Sequence, residues 1–425
     1  MIKLLKLPND LFINTFSHQV IEPGINYILS PYVIKDENAY YNVLTEEAIL
    51  IDDLKKDKRT LINHWFYIPE GFDASSLCHT LRQKSLLQAG GPGSRLKSLY
   101  TIFTTTACNA SCEYCFEKGC DILTMDDNTA KKTADYIIRT SRRNYPVTLK
   151  WFGGEPLCNI RAINIITERL NDAGINFSSI MTTNGDLFNK VSDEELKKWK
   201  LRKVQLTADD IDEKYDKIKG LPEGAFTRLK ETAARFEKLN IRISLRIHFS
   251  ELTGDESCYR IIEEFKSFKN VSMYIKIIYG NESVENYDKI LRLEDYLISL
   301  KKRNTTFLTS RNPSHCMADN PRMATITPHG ELSPCEHYAN GEHIYGSIDN
   351  SKQDLKILAN WAVREKYIDK DCKKCTLYPN CRKLVMCPAE GKCSDGYQYY
   401  QIETIKRALR KKVEEINGRD SNTNN

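Results

Sequence analysis

The short segment Cys108–Cys115 places three thiols at spacings suited to metal chemistry. Cys108, Cys112 and Cys115 are separated by three and two residues, and they follow the apolar, β-rich run Leu99–Thr105. An iron–sulfur cube takes four thiolate ligands, so three would leave one iron free to hold another molecule. A zinc site with a distant fourth ligand, or a reduced loop without metal, would use the same residues. Later segments favour the cluster.

A second group of cysteines lies toward the C-terminus. It begins after about Arg311, where apolar runs become short, so metal centres are expected to hold this region together. The 14 cysteines and the charged start Met1–Lys6, which is no signal peptide, favour metal ligation over disulfides. A pair of structural zinc sites is the alternative. The members are Cys316, Cys335, Cys372, Cys375, Cys381, Cys387 and Cys393.

The run Gly153-Gly154-Glu155 follows the apolar segment Lys150-Trp151-Phe152. Two glycines at the end of a strand expose backbone to a ligand, and the carboxylate that follows can hold an ammonium group. A strand-to-helix turn with glycine is also common without any ligand. Its position in the β/α unit directly after the three-cysteine loop favours a binding role.

Two further segments place polar side chains where a ligand could lie. Thr182 and Asn184 end the third predicted strand and can bond ribose hydroxyls or a carboxylate, although an Asn-Gly turn needs no ligand. Arg246 lies inside an apolar strand, where it can pair with a ligand carboxylate or form an outward salt bridge.

The elements that must position these residues alternate between strand and helix from residue 95 to 305. Six β/α units in succession predict an α/β fold with a parallel sheet, a partial (β/α)6 barrel whose active site lies at the carboxyl ends of the strands. The predicted strands are Leu99–Thr105, Val147–Phe152, Ser178–Thr183, Val204–Thr207, Ile241–Phe249 and Met273–Tyr279. The predicted helices are Asn128–Arg142, Asn159–Ala173, Asp193–Lys200, Phe226–Leu239, Tyr259–Phe268 and Leu293–Lys302.

The flanking regions divide the rest of the chain. Residues 1–94 read as a small α+β unit that ends in the linker Gly90–Ser94, residues 306–405 as a cysteine-rich domain, and residues 406–425 as a helical tail that becomes disordered beyond Gly418. The net charge of +5 over 425 residues gives no indication of nucleic-acid binding. No apolar run is long enough for a membrane span, so a cytoplasmic protein is expected.

Four cysteines have no ligand spacing: Cys78, Cys120, Cys158 and Cys258. Single cysteines are usually small buried hydrophobic residues, so we expect structural roles for them.

The cysteine loop, with Tyr114 inside it, resembles the signature loop of the radical S-adenosylmethionine (SAM) enzymes. The run Gly153–Glu155 is similar to the family motif that contacts the methionine amino group, and Thr182, Asn184 and Arg246 fall where the family often contacts ribose and carboxylate. The resemblance implies a 4Fe-4S cluster whose free iron chelates SAM. Reductive cleavage then gives methionine and a 5′-deoxyadenosyl radical that abstracts a substrate hydrogen. Asp209 stands where relatives carry a Ser-Leu-Asp-Gly-like run, and it is a candidate carboxylate at the substrate face.

The C-terminal cysteines resemble a SPASM domain, the auxiliary-cluster module of this superfamily. The resemblance implies two further 4Fe-4S clusters, making three in all. One would be held by Cys372, Cys375, Cys381 and Cys393, and the other by Cys316, Cys335 and Cys387. The second set is one ligand short, so either a distant residue such as His315 or Cys258 completes it or one iron is open to a substrate thiolate.

This combination resembles the maturases of ribosomally made peptides, in which an N-terminal unit often grips the leader of a precursor peptide at a sheet edge. The resemblance implies a cysteine thioether crosslink as the first expectation, a carbon–carbon crosslink as the second, and oxidation of a sulfatase residue to formylglycine as the third. An external electron donor such as flavodoxin or ferredoxin is implied. A non-enzymatic iron–sulfur or zinc scaffold is the alternative from another class, and the intact Gly153–Glu155 run argues against it.

Overall fold

The computed structural model describes the following residues: 5–6, 19–50, 57–73, 75–77, 96–141, 145–250, 253–278, 282–303, 317–320, 322–338, 343–350, 352–363, 372–381 and 393–422. The linker Gly90–Ser94 and the candidate residues Cys78, His315, Cys316 and Cys387 lie outside these ranges. None of the helices in the described ranges has the length and hydrophobicity needed to cross a bilayer.

Short antiparallel strands form the N-terminal unit. One sheet has the order β1-β5-β4-β3, and β2 pairs with β6 in a second sheet. The elements are β1 (Leu5–Lys6), β2 (Tyr27–Leu29), β3 (Val33–Lys35), β4 (Ala39–Asn42), β5 (Glu47–Leu50), α1 (Lys58–Asn63) and β6 (Tyr67–Pro69).

Six parallel strands follow, and they pair in chain order from β7 to β12. The strands are β7 (Leu99–Thr105), β8 (Val147–Gly153), β9 (Phe177–Thr182), β10 (Leu201–Ala208), β11 (Arg242–Phe249) and β12 (Val271–Ile277). The helices are α2 (Asp127–Thr140), α3 (Ile160–Asp172), α4 (Asp193–Lys198), α5 (Asp212–Lys219), α6 (Ala225–Lys238), α7 (Gly254–Phe265) and α8 (Val284–Ser299). The predicted α/β class with a parallel sheet is confirmed, whereas closure into a partial barrel stays a prediction.

Side chains alternate between the two faces of this sheet, because successive residues of a strand point in opposite directions. On β11, Ile243, Leu245 and Ile247 are buried in the large apolar core that also contains residues of the helices. Ser244 and Arg246 alternate with them and are only partly buried. The sheet therefore has an apolar face that carries the helices and a more polar inner face.

The C-terminal region continues the same sheet. Strand β13 (Met323–Ile326) lies parallel to β7, and β14 (Glu331–Ser333) and β15 (Gly346–Ser347) follow in antiparallel pairing. Helix α9 (Leu355–Val363) and helix α10 (Asp395–Asn422) complete the described region. The hairpin predicted before Cys335 is present as β13 and β14, with Gly330 at φ +79° in its turn.

Three elements differ from the sequence predictions. Helix α5 has no predicted counterpart, and α8 begins nine residues before the predicted Leu293 (293 − 284) because apolar residues such as Tyr287 and Ile290 extend its buried face. Helix α10 runs without a break to Asn422, so disorder beyond Gly418 was wrong as far as that residue. This last turn continues the preceding Lys-, Arg- and Glu-rich part of α10, and extending an existing helix does not require a new nucleus.

Candidate active site

The three-cysteine loop leaves the carboxyl end of β7 and rests on the end of α5. The backbone N–H of Ser111 donates to the carbonyl of Lys219 at 2.8 Å, and the Cys112 thiol lies 3.9 Å from the same oxygen. Gly220 has φ +59°, and a Cβ at this position would lie 1.9 Å from Ser111 Oγ. A glycine is needed here both for the left-handed backbone and for the close approach of the loop.

The thiols of this loop are free and share one site. Cys112 lies within electrostatic range of both Cys108 and Cys115, and none of the three forms a disulfide. Burial raises the pKa of Cys108 to about 12 in the absence of a cation. Because iron binds the thiolate, loading the site must release protons.

Close backbone packing explains both glycines of the run Gly153–Glu155. A Cβ on Gly153 would lie 2.1 Å from the Thr105 carbonyl oxygen, and one on Gly154 would lie 2.3 Å from that of Thr106. The N–H groups of Gly154 and Glu155 donate to the carbonyls of Thr105 and Ala107 at 3.2 and 2.9 Å. The glycines thus fasten the end of β8 to the start of the cysteine loop.

The Glu155 carboxylate points into the protein. It is fully buried and accepts hydrogen bonds from Leu157 N, Asn184 N and Thr183 Oγ1 at 2.9–3.0 Å. Burial raises its pKa to about 7, although the hydrogen bonds oppose the shift. Its direct contact with a methionine ammonium stays a prediction, and its observed contacts join the ends of β8 and β9.

Asn184 connects the end of β9 to the cysteine loop. Its Nδ2 donates to Asn109 Oδ1 at 2.8 Å and lies 3.9 Å from Cys108 Sγ. Asn109 in turn donates to Asp186, which is held by Arg228. Asn184 is therefore in contact with the cysteine loop, and its predicted part in binding SAM stays a prediction.

A buried polar cluster lies behind Tyr114 at the ends of β10 and β11. Lys219 Nζ donates to the Tyr114 hydroxyl at 2.7 Å and to Thr207 Oγ1 at 2.8 Å, and it lies 2.9 Å from Asp209 Oδ2. His248 Nδ1 lies 2.8 Å from Asp209 Oδ1, and its ring packs edge-on against Tyr114. Both Lys219 and Asp209 are almost fully buried, at 3% and 1% side-chain exposure.

The electrostatics of this cluster follow from burial and pairing. Burial by itself raises the pKa of Asp209, but Lys219 and His248 outweigh it, so the pKa lies below its ordinary value. Burial lowers the pKa of His248 to about 4, so the ring is neutral near pH 7 and its Nδ1–H donates to Asp209. Burial, followed by the Asp209 charge, raises the pKa of the Tyr114 hydroxyl, which stays protonated.

His248 lies in the predicted strand β11 but was not recognised there as a functional residue. Lys219 was missed because α5 was not predicted. The available signal was a helix pattern: acidic Asp212 and Glu213 in the first turn, Lys217 and Lys219 in the last, and Gly220 as the cap. Asp209 was predicted at the substrate face, but the structure places it among buried partners.

The remaining predicted SAM contacts lie on the inner face of the sheet. Thr182 is partly buried at the end of β9. Arg246 lies between Thr207 and Tyr274 in the strand register, and its Nε is buried. Within the described ranges the Arg246 guanidinium makes no hydrogen bond or ion pair. An arginine without a partner at such a place is available to a ligand carboxylate.

The cysteine loop also meets the turn that follows Cys335. The rings of Phe116 and His337 lie 4.6 Å apart. Lys150, on the inner face of β8, donates to Glu336 Oε2 at 2.5 Å. Burial, followed by the charge of Glu336, raises the pKa of Glu117 to about 7. The turn that follows Cys335 is therefore in contact with the segment that follows the three-cysteine loop.

The Cys335 thiol is itself buried and hydrogen-bonded. The backbone N–H of His337 donates to its sulfur at 3.3 Å, and Met317 and Ala318 pack against it. N–H donation to sulfur stabilises a thiolate and so favours a ligand role. Its proposed partners Cys316 and Cys387 lie outside the described residues.

Four further candidate ligands converge at the start of α10. Cys372, Cys375 and Cys381 pack against one apolar cluster. The pKa of Cys375 is raised first by burial and then by the nearby thiols of Cys393 and Cys372.

The unassigned cysteines differ from one another. Cys258 is fully buried in the main core and donates to the carbonyls of His248 and Gly254, whereas Cys335 belongs to a separate cluster, so the two are not brought together. Cys120 is exposed, contrary to the expectation of burial. Cys158 is exposed as well.

The donor chemistry of both thiol groups fits iron–sulfur clusters. No three His, Cys, Asp or Glu side chains of the described chain are spaced to hold a single metal ion. A four-iron cube spreads its thiolate ligands more widely than one ion does, so the fit rests on the number and type of thiols that share each site.

Comparison with known proteins places these features in context. Residues 89–220 match the family model of a 4Fe-4S single cluster domain. Over 296 residues the chain is 25% identical to GTP 3′,8-cyclase of Clostridium perfringens (strain 13 / Type A), covering 62% of this chain and 89% of that enzyme. A stretch of 110 residues, 25% of this chain, is 30% identical to an uncharacterized protein of Methanocaldococcus jannaschii and spans 37% of that protein.

Two solved structures share the fold. Native anSMEcpe with bound AdoMet matches with a TM-score of 0.57 and 15% identity, over 75% of this chain and 99% of that chain. Streptococcus suis SuiB bound to precursor peptide SuiA matches with a TM-score of 0.50 and 15% identity, over 88% and 99%. The predicted resemblance to a radical SAM enzyme with a SPASM-like region is confirmed at the level of fold and cluster domain.

Proposed function

We propose that this protein is a radical SAM peptide maturase that installs a crosslink in a ribosomally made precursor peptide, most simply a cysteine thioether. One observation carries the proposal: Phe116, just after the cysteine loop, contacts His337, in the turn that follows Cys335. A substrate between these two sites would be close both to the place where a radical is made and to an auxiliary centre.

We propose that the thiols of the loop hold the first cluster and that the C-terminal cysteines hold two more. Cys108, Cys112 and Cys115 would hold the cluster that binds SAM, which when bound supplies reductive cleavage of SAM. Cys372, Cys375, Cys381 and Cys393 would hold one auxiliary cluster, and Cys316, Cys335 and Cys387 the other.

The chain's own residues would orient the cofactor and exclude water. Arg246 makes no hydrogen bond or ion pair within the described residues, so it is the candidate partner for the SAM carboxylate, whereas Lys219 is already paired with Asp209. Asn184 and Thr182 would bind ribose, and Tyr114, held by Lys219, would form a wall of the site. Gly153, Gly154 and Glu155 would fix the loop against β8.

The proposed partners are a precursor peptide with a leader and an external one-electron donor such as flavodoxin or ferredoxin. Support for a peptide comes from the shared fold with SuiB, which was solved with precursor peptide SuiA. We propose that the N-terminal sheet binds the leader by adding a strand to one of its edges.

Cofactor cleavage is the first test of this proposal. The reconstituted protein should produce 5′-deoxyadenosine from SAM under dithionite, and Cys112→Ala should abolish the product. Cys120→Ala is the matched control, because this exposed thiol lies in the same segment and has no ligand spacing. No 5′-deoxyadenosine from the wild type would favour the non-enzymatic scaffold.

Co-expression with a short cysteine-containing peptide encoded nearby tests the reaction. Mass spectrometry should show loss of two hydrogens and thiols that no longer react with an alkylating reagent. Loss of two hydrogens with thiols still free would instead indicate a carbon–carbon crosslink.

Formation of formylglycine on a sulfatase is the second candidate. It is favoured by the fold match with anSMEcpe, an anaerobic sulfatase maturase, over nearly all of that chain. This candidate predicts an aldehyde on a sulfatase-derived peptide, which a hydrazine reagent would detect. It also predicts that the cysteine thiols of the co-expressed precursor peptide stay reactive, because no thioether is formed.

A further inference from the structure

The turn between β4 and β5 is buried, which is unusual because chain reversals normally lie at the surface. Val43 and Leu44 have no exposed surface, and Thr45 and Glu46 are nearly as buried. A turn can be buried only if another part of the chain covers it.

The backbone of this turn is built for burial. The N–H of Leu44 donates to Asn42 Oδ1 at 3.0 Å, that of Val43 to the Tyr32 carbonyl at 2.8 Å, and that of Glu46 to the Asn42 carbonyl at 2.8 Å. Because these three backbone N–H groups have partners, the turn can present its two apolar side chains to a dry surface, although the buried Thr45 hydroxyl has no hydrogen-bond partner among the described residues.

The cysteine-bearing segment of the C-terminal region belongs to the same apolar cluster as this turn. Val43 and Leu44 share one apolar cluster with Leu377 and Tyr378, and Cys372, Cys375 and Cys381 pack against that cluster. These cysteines are the ones proposed to hold an auxiliary cluster.

Helix α10 fixes the arrangement from the other side. It begins two residues after Cys393, and its Ile405 and Leu409 enter the same apolar cluster. Farther along, Arg410 makes two parallel hydrogen bonds to the buried carboxylate of Asp36 in the N-terminal unit, at 2.9 and 3.1 Å. Bidentate pairs of this kind fix orientation as well as distance.

We propose that the β4–β5 turn of the N-terminal unit is an apolar lid on the auxiliary site of Cys372, Cys375, Cys381 and Cys393. Val43 and Leu44 act as positioning residues: from their side of the site they limit the access of water and small oxidants to Cys372, Cys375 and Cys381, which are partly buried, whereas Cys393 is exposed and is not covered by them. The solvent exposure of an iron–sulfur cluster is one of the factors that set its reduction potential and its lability. This inference rests on the proposed auxiliary cluster and extends it to a segment of the chain far from the cysteines.

Thiol reactivity in the apo protein tests the lid without any cofactor. Leu44→Ala should raise the alkylation rate of Cys372, Cys375 and Cys381 several-fold, measured by mass spectrometry well below the melting temperature. The exposed Cys120 is the internal standard and should react at an unchanged rate. Leu44→Met, which keeps the volume, should restore slow alkylation. Ile28→Ala, at a residue that is 41% exposed in the same unit, is the matched control.

The loaded protein gives an independent readout. After anaerobic reconstitution, Leu44→Ala should lose its auxiliary EPR signal in air several-fold faster than the wild type or Ile28→Ala. The signal that changes when SAM is added should decay at the wild-type rate.

Two outcomes would overturn the lid. Equal alkylation and equal decay in Leu44→Ala and Ile28→Ala would show that the turn only packs, and equal acceleration of both EPR signals would show general destabilisation. A wild-type protein without any auxiliary iron would instead refute the proposed cluster itself, and the alkylation experiment would still decide on the lid.

Discussion

Glu155 shows how one residue can have a role that its motif does not reveal. The sequence placed a carboxylate after two glycines, and the expected role was to hold an ammonium group. In the structure three protein donors surround the buried carboxylate. Gly153 and Gly154 also have a structural role. A Cβ at either position would collide with a backbone carbonyl of the connection between β7 and the cysteine loop.

The raised pKa of Glu155 predicts a pH dependence of stability. The folded state holds the proton up to about pH 7, against an ordinary value of 4.5. The contribution of Glu155 to stability is therefore fully present below about pH 4.5 and is lost as the pH rises through 7, by roughly 3 kcal/mol in total. In Glu155→Gln this loss should be absent, so apo melting temperatures of the variant should fall less than those of the wild type between pH 5 and 8. Parallel curves would contradict the assignment.

At the scale of elements, the end of α5 holds the three-cysteine loop in place, although α5 carries no predicted cluster ligand. The helix ends under the cysteine loop, where its last carbonyl receives the Ser111 N–H and its last side chain reaches Tyr114. Lys219 and Gly220 thereby connect the loop to β10 through Thr207 and Asp209.

Substitution of Gly220 should therefore disturb the cluster more than the fold. Gly220→Ala adds a left-handed backbone penalty of about 1–2 kcal/mol and a collision with Ser111. Gly174→Ala is the matched control, since it has a similar φ of +66° and nothing within 4 Å of the added Cβ. Both variants should melt lower, but only Gly220→Ala should lose iron from the SAM-responsive cluster. Equal iron contents would contradict this role of α5.

Much of this architecture follows from local sequence patterns. Strands β7 and β8 are predicted closely from the sequence, because β7 is rich in β-branched and aromatic residues and β8 alternates buried apolar residues with the partly buried Thr148 and Lys150. Helix α5 was missed because Asp212–Lys219 is short and mostly polar. The partners of Asp209 and Glu155 could not be predicted, because they are distant in sequence and are brought together only by the order of the strands.

At the scale of the whole molecule, the C-terminal region is not a separate attachment. Strand β13 pairs with β7 over four residues, and Ala324, Ile326 and Leu332 belong to the main core. The boundary predicted near residue 305 is therefore crossed by the central sheet.

Removal of residues 306–425 should consequently destabilise the parallel sheet. The truncation would expose the edge of β7 and part of the core, and unpaired edges of this kind promote aggregation. We expect the 1–305 fragment to elute as aggregate in size-exclusion chromatography, while deletion of residues 419–425 leaves a monodisperse protein. A monodisperse fragment with the melting temperature of the full chain would contradict this prediction.

The apolar cluster around Val43 and Leu44 also has a consequence for synthesis on the ribosome. The N-terminal unit is made first, but the residues that complete its core, such as Tyr378 and Leu409, are made near the end. At about 5–20 residues per second, that interval is on the order of tens of seconds. Throughout that time the apolar surface around Val43 and Leu44 is uncovered and can bind other proteins. We therefore expect chaperones to bind the N-terminal unit during synthesis.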